Sequence, residues 1–218
     1  MTFYFDFISP YAWLAWQRVP ELARRYDRPL KPVPILLAAL LNHHGTRGPA
    51  EIPAKRSWVI RDIAYHAARE GLSLQLPPAH PFNPLLALRV ASLPMEEERR
   101  FQLIDALFKG VWCTGTGITD PAVIASIADS LGLNGAELIT QASTPEAKDR
   151  VRLQSEAALA LGIFGVPTVQ IDNEIFWGFD SLAHVEDKLS GRISISPELL
   201  KQWEHLPAGA VRPGAGGH

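Results

Sequence analysis

The amino-acid sequence predicts an α/β fold in which a β-α-β unit and a β-β-α unit share one small sheet, separated by a large all-helical insertion. Three observations carry this expectation. Residues 2–7 form an aromatic, strand-favouring run that ends just before a Ser9-Pro10 helix start. Residues 167–177 alternate around an Asp172-Asn173 turn, as the two arms of a hairpin do. The stretch between them reads almost entirely with helical period.

Taken in order, Thr2-Phe3-Tyr4-Phe5-Asp6-Phe7 is rich in β-favouring aromatics and too short for a helix that Pro10 would stop. Ser9-Pro10 places a capping residue before a proline at the first helical position. Ala12, Ala15, Trp16, Val19, Leu22, Ala23 and Tyr26 then recur at helical spacing, with a kink expected near Pro20. A second short strand is expected at 31–37. A Gly/Pro-bearing loop at 42–54 leads to a helix around 55–70 that stops at Gly71. The four prolines of 77–84 mark an irregular crossing loop.

Phe101, Ile104, Leu107 and Phe108 form one helical face. Asp120-Pro121 starts another helix, with Ile124, Ile127, Ala128 and Leu131 inward and Gly132 as its stop. Asn134 with Glu137 resembles a capping box, and Thr144-Pro145 starts a helix that runs to about Gly162. Pro167 to Ile171 and Ile175-Phe176-Trp177 are the hairpin strands. A last helix from about 180 to 190 carries Leu182, Val185 and Leu189 on one face. The Gly, Ala and Pro residues of the tail, 205–218, predict disorder. Residues 1–40 and 163–195 thus combine into a thioredoxin-like domain, with 41–162 as a helical insertion and its connecting loops.

Composition narrows the function. The 218 residues are 47% hydrophobic and 20% charged, the balance of a globular chain with one large domain or two small ones. A net charge of -2 leaves no basic surplus for nucleic acid. The single cysteine, Cys113, excludes an intrachain disulfide, a Cys-x-x-Cys redox pair and a multi-cysteine zinc site. It is expected as a small packed residue. No apolar run approaches the ~18 residues of a membrane span. The chain enters a strand at once with no basic leader, so a cytoplasmic protein is expected. His43-His44 lack further ligands at metal spacing, and Glu96 to Arg100 reads as the solvated start of a helix. Trp13, Trp16, Trp58, Trp112 and Trp177 are expected mainly in the core, Trp112 and Trp177 also as candidate walls of an aromatic pocket.

Two places suggest chemistry. Ser9 sits where a strand gives way to a helix, so free backbone N–H groups and the positive end of the helix dipole face it. It is either a plain N-cap worth ~1 kcal/mol or, in addition, a donor to a bound anion. Phe164-Gly165-Val166-Pro167-Thr168 opens a strand with proline after glycine and valine. A cis bond there would turn the Val166 backbone toward an extended peptide, whereas a trans proline would only open an edge strand; spacing does not decide.

Ser9-Pro10-Tyr11 after an aromatic strand, Gly165-Val166-Pro167-Thr168 opening a late strand, and Trp177-Gly178-Phe179-Asp180 after its partner occur in this order. In these motifs, from about residue 2 to 190, the chain resembles the 2-hydroxychromene-2-carboxylate isomerase family, related to the kappa-class glutathione transferases. The resemblance implies glutathione as cofactor, a small aromatic carboxylate as substrate and a homodimer. It implies that Ser9 stabilises the glutathione thiolate, with Pro10 and Tyr11 beside it, and that Val166 and Pro167 hold the cysteinyl backbone. Asp180, with the Trp177-Gly178-Phe179 turn, would receive the γ-glutamyl end. Lys55 matches a family lysine near the site and would pair with a glutathione or substrate carboxylate, a task Arg56 or Arg61 could share, or it is a solvated first-turn lysine. Asn83 matches a substrate-contacting position or is an ordinary loop asparagine.

The implied reaction is reversible thiolate addition that converts the chromene acid to trans-o-hydroxybenzylidenepyruvate. The alternatives are a kappa-type transferase and a non-catalytic glutathione- or peptide-binding protein. One departure stands out: the family's Asp-Arg-Leu reads Asp180-Ser181-Leu182 here. Without that arginine either glutathione affinity falls, or Ser181 caps the following helix and serves the same carboxylate through backbone amides.

Overall fold

Four short strands, β1 (Thr2–Phe5), β2 (Lys31–Pro34), β3 (Thr168–Ile171) and β4 (Glu174–Trp177), form one mixed sheet in the order β2-β1-β3-β4. The structure is a computed structural model that describes residues 1–207 and residue 209. β1 runs parallel to β2, with Thr2 opposite Lys31 and Phe5 opposite Pro34. It runs antiparallel to β3, with Tyr4 opposite Thr168, and β3 turns back into β4 with Thr168 opposite Trp177. Asp172 takes the positive φ of 53° that the tight turn between them requires.

The helices are α1 (Pro10–Trp16), α2 (Val19–Arg25), α3 (Leu37–His43), α4 (Pro53–Arg69), α5 (Leu85–Ser92), α6 (Glu97–Trp112), α7 (Pro121–Ser130), α8 (Gly135–Ala142), α9 (Pro145–Ala160), α10 (Leu182–Ser190) and α11 (Pro197–Glu204). A 3₁₀ turn at Pro49–Glu51 precedes α4. Several starts are set by local chemistry. Ser9, Asp120, Asn134 and Thr144 each accept a backbone N–H two or three residues on. Such a cap contributes about 1 kcal/mol. Only half of the expected capping box forms, because the Glu137 carboxylate accepts from Gln141 instead.

Strand alternation divides the core. Phe3 and Phe5 join one large apolar cluster with α1, α6 and α7, while Tyr4, Val33 and Ile35 meet Leu40, Ala158 and Ile163 in a second. Aromatic pairs tie the sheet to the helical segment: Phe5–Phe108 at 5.5 Å, Trp16–Phe101 at 5.4 Å and Trp13–Trp112 at 6.4 Å between ring centroids.

Several local expectations change. The first helix is broken into α1 and α2, because Pro20 has no N–H for the carbonyl of Trp16 and its ring crowds that carbonyl. β2 ends at Pro34, and residues 37–43 are helical where the sequence suggested strand and loop. α3 has no capping side chain of its own; its first amide, Leu37 N–H, donates to the carboxylate of Asp6 at 2.9 Å. That cap comes from 31 residues away, so local sequence carries no sign of it. The helix ending at Ser190 is not the last, since α11 follows with Ser196 as its cap. Most of the tail expected to be disordered, residue 208 and residues 210–218, lies outside the described residues. Trp58 and Trp177 are 61% and 54% exposed, not core, because each projects from an element with only one covered face.

Candidate active site

The sheet register assembles one edge from three distant segments. Tyr4 opposite Thr168 sets the residues after β1 beside those before β3, and Thr168 opposite Trp177 sets the end of β4 next to both. The Gly178 N–H donates to the Pro167 carbonyl at 2.9 Å, extending that register past the strands. The Ser9 loop, Val166-Pro167 and Trp177 to Asp180 therefore share the same end of the sheet.

Ser9 is 7% exposed. Its Oγ accepts the Ala12 N–H at 3.2 Å, so the capping role is real. Accepting that bond leaves the hydroxyl proton free to be donated, and Pro10 has no N–H to compete for a ligand. The Tyr11 N–H makes no hydrogen bond among the described residues. Capping and anion binding are thus compatible at this residue. The loop is held from beneath by Asp6, fully buried, whose carboxylate accepts the Ile8 N–H at 3.1 Å and the Leu37 N–H at 2.9 Å. Burial pushes the Asp6 carboxyl up to about 7, against the pull of those two amides.

Across the edge, the Val166–Pro167 bond is cis. Val166 is 9% exposed, yet neither its N–H nor its C=O has a hydrogen-bond partner among the described residues. An unpaired donor and acceptor on one largely covered residue is rare and fits a strand-like partner. Trp177 lies over Gly165, where a Cβ would meet its Nε1 at 2.6 Å, and packs against Phe164 at 5.0 Å between centroids. Gly178 has φ of +93°, and a Cβ there would stand 2.5 Å from Asp180 Oδ1. Of the two alternatives at Ser181, capping does not form: the residue occupies the N-cap position of α10, but its hydroxyl donates to the Gly178 carbonyl at 2.8 Å. It fastens the turn carrying Asp180.

The sequence reading missed four polar residues beside this edge. Asp6 is one. Asp62, on α4, accepts from the Tyr11 hydroxyl at 2.7 Å and lies 3.5 Å from His66 Nε2. Burial, the bond to Asp62 and the charge of Asp180 all push the Tyr11 phenol up, which places the two carboxylates around one hydroxyl. The His66 ring meets Phe179 edge-on at 4.9 Å, and Arg18, paired with Glu70, lies over the same ring. His80, from the proline-rich loop, donates from Nε2 to the Ile8 carbonyl at 2.9 Å and packs against Trp112 at 5.5 Å. Burial, with Arg56 nearby, lowers its pKa and favours the neutral ring. Helical spacing of Asp62 and His66 was the one available signal; nothing local pointed to His80.

Other candidates stand apart. Lys55 is exposed in the first turn of α4 and has no ion-pair partner among the described residues, while the charge of its neighbour Arg56 reaches His80. Asn83 is exposed and its side-chain carbonyl accepts the Leu85 N–H at 3.0 Å, the loop role of an asparagine at a helix start. Trp112 is buried and its indole N–H donates to the Phe7 carbonyl, so it supports the loop from the core. Cys113 is half-buried at the end of α6, and burial pushes its thiol up, away from reactivity. Among the described residues no cluster of three metal-ligating side chains occurs, and no helix is long and apolar enough to cross a membrane.

The 2-hydroxychromene-2-carboxylate isomerase of Sphingobium xenophagum is 28% identical over 191 residues, covering 87% of this chain and 97% of that protein. Glutathione S-transferase kappa 1 of Rattus norvegicus is 24% identical over 193 residues, covering 83% and 85%. A solved 2-hydroxychromene-2-carboxylate isomerase superposes with a TM-score of 0.77 at 26% identity, covering 95% of this chain and 98% of its own. The resemblance read from the three motifs is therefore borne out, as is the thioredoxin-like core with many added helices. The model of the DSBA-like thioredoxin domain matches residues 1–190, and the chain belongs to that family.

Proposed function

We propose that this protein is a glutathione-dependent isomerase that acts on 2-hydroxychromene-2-carboxylate-like aromatic acids and forms trans-o-hydroxybenzylidenepyruvate-type products. The observation that carries the reading is the unpaired N–H and C=O of Val166, set beside a Ser9 hydroxyl whose proton is free. That donor set fits a γ-linked tripeptide thiol. Val166 would pair with its extended middle residue, and the carboxylates of Asp180 and Asp62 would suit its ammonium.

When bound, glutathione supplies a sulfur nucleophile that permits rotation about an activated carbon–carbon double bond and is released unchanged. A free thiol is mostly protonated at neutral pH, so a donor that favours the thiolate is needed. Ser9 would donate its hydroxyl proton to that sulfur, with the Tyr11 N–H as a second donor. Arg56 or Lys55 would neutralise the substrate carboxylate, and neutral His80 would close the pocket beside the Ile8 carbonyl. Asp6 holds the loop that aims Ser9.

A disulfide-exchange reaction is not supported, because Ser9-Pro10-Tyr11-Ala12 stands where a Cys-x-x-Cys pair would act. The likeness to kappa transferases supports a second reading, irreversible conjugation of glutathione to an electrophile. Stoichiometric glutathione consumption separates it from isomerisation. A homodimer in a cytoplasmic setting belongs to the same proposal. The deciding experiment is glutathione calorimetry on the native chain and Ser9→Ala. Binding with proton release near neutral pH, diminished in the variant, is expected. No binding at millimolar glutathione overturns the reading.

A further inference from the structure

α5 packs against α9, and a cavity of about 250 Å³ opens between α3, α5 and α9. Its walls are mostly apolar, with Leu36, Leu85, Val151 and Leu159 contributing, yet Arg89 also lines it. Arg89 is half-buried; its Nε atom is buried and has no hydrogen-bond partner among the described residues. No carboxylate pairs with this guanidinium among the described residues.

Leaving a buried N–H donor unpaired is costly, and structures seldom retain one without a partner. The other charges around the cavity sharpen the point. Arg152 is occupied by Asp149 at 3.2 Å and by both oxygens of Glu156 at 2.9 and 3.0 Å, so that acid is already neutralised. Lys148, exposed on the same wall, has no partner among the described residues. Two unbalanced cations therefore border an apolar volume, which is the complement of an anion with an apolar body.

We propose that this cavity is a second ligand site, independent of the Ser9 edge, which takes a small monocarboxylate with an apolar chain or ring. The carboxylate pairs with Arg89, Lys148 adds charge from the rim, and the apolar body displaces water from the leucine and valine walls.

Octanoate and its uncharged counterpart octanamide are suitable probes, used in calorimetry with the full chain near neutral pH. Octanoate is expected to bind saturably, octanamide about tenfold or more weaker, and both Arg89→Met and Lys148→Met to weaken octanoate, Arg89→Met by about tenfold. Octanoate should raise the melting temperature of the native chain and fail to raise that of Arg89→Met. Saturating glutathione and Ser9→Ala should leave octanoate binding unchanged, which separates this site from the glutathione reading. Equal binding of the two probes, native-like binding by both Met variants, or no saturable binding at millimolar octanoate overturns the proposal. Because Lys148 is exposed, its variant tests the site even if Arg89→Met fails to fold.

Discussion

The two walls of the candidate site are built in opposite ways. The wall that follows β1 is mostly buried and largely paired within itself: Ser9 caps α1, Asp6 accepts two amides, and the Ile8 and Phe7 carbonyls are taken by His80 and Trp112. The wall formed by β3 and β4 is more open. Val166 keeps an unpaired N–H and C=O, while Trp177 and Asp180 stand exposed. The first wall spends its hydrogen bonds on fixing the position of one hydroxyl. The second leaves hydrogen-bonding capacity unused. Under the proposed function, a site that must hold a mobile peptide-like molecule and act on one of its atoms needs both kinds.

That contrast is open to direct attack. The largest effect should come from Ser9→Ala, with turnover slowed ~10²-fold at saturating glutathione and stability reduced by about 1 kcal/mol through the lost cap. An unchanged saturating rate would place the chemistry on the other wall.

Asp6 gives a pH signature for the fixed wall. Its carboxyl titrates at about 7 in the folded chain, against about 4 in an unfolded one. Between those values the folded state retains a proton that the unfolded state has lost. Stability should therefore fall as pH rises through that window, by up to about 1.4 kcal/mol per pH unit, and level off below and above it. Denaturation of Asp6→Asn across the same pH range should show this dependence removed; identical slopes would mean that other groups account for it.

On the open wall, Asp180→Ala should weaken glutathione binding about tenfold, near 1.4 kcal/mol, with little change in melting temperature and less change in the saturating rate. A fall in the saturating rate alone would reassign Asp180 to the chemical step. The smallest effect is expected from Gly178→Ala, which meets both a left-handed backbone and the Asp180 carboxylate. It should cost about 1 kcal/mol of stability and mimic part of the Asp180 binding loss. Urea melts and binding isotherms on the same preparation check both.

Much of the fold was legible because its signals are local. A short aromatic run marked β1, Ser-Pro, Asp-Pro and Thr-Pro pairs marked three helix starts, and Asp172-Asn173 marked the hairpin. Each rests on the conformational preferences of a few adjacent residues. The segment 37–43 was misread because Leu36 to Leu41 is apolar throughout, and such a run has no period to separate strand from helix. What capped it was the Asp6 side chain, from the loop after β1.

The sequence by itself determined most elements and the order of the motifs that name the candidate residues Ser9, Val166-Pro167 and Asp180. Only the tertiary structure decided what surrounds them. Asp62, His66 and His80 reach the site because α4 packs on α1 and the proline-rich loop crosses back to Ile8. The unpaired guanidinium of Arg89 exists only where α5 meets α9. Periodicity encodes which face of an element is buried, but the partner of that face is chosen by packing across the whole chain, and polar groups converge or remain unpaired according to that choice.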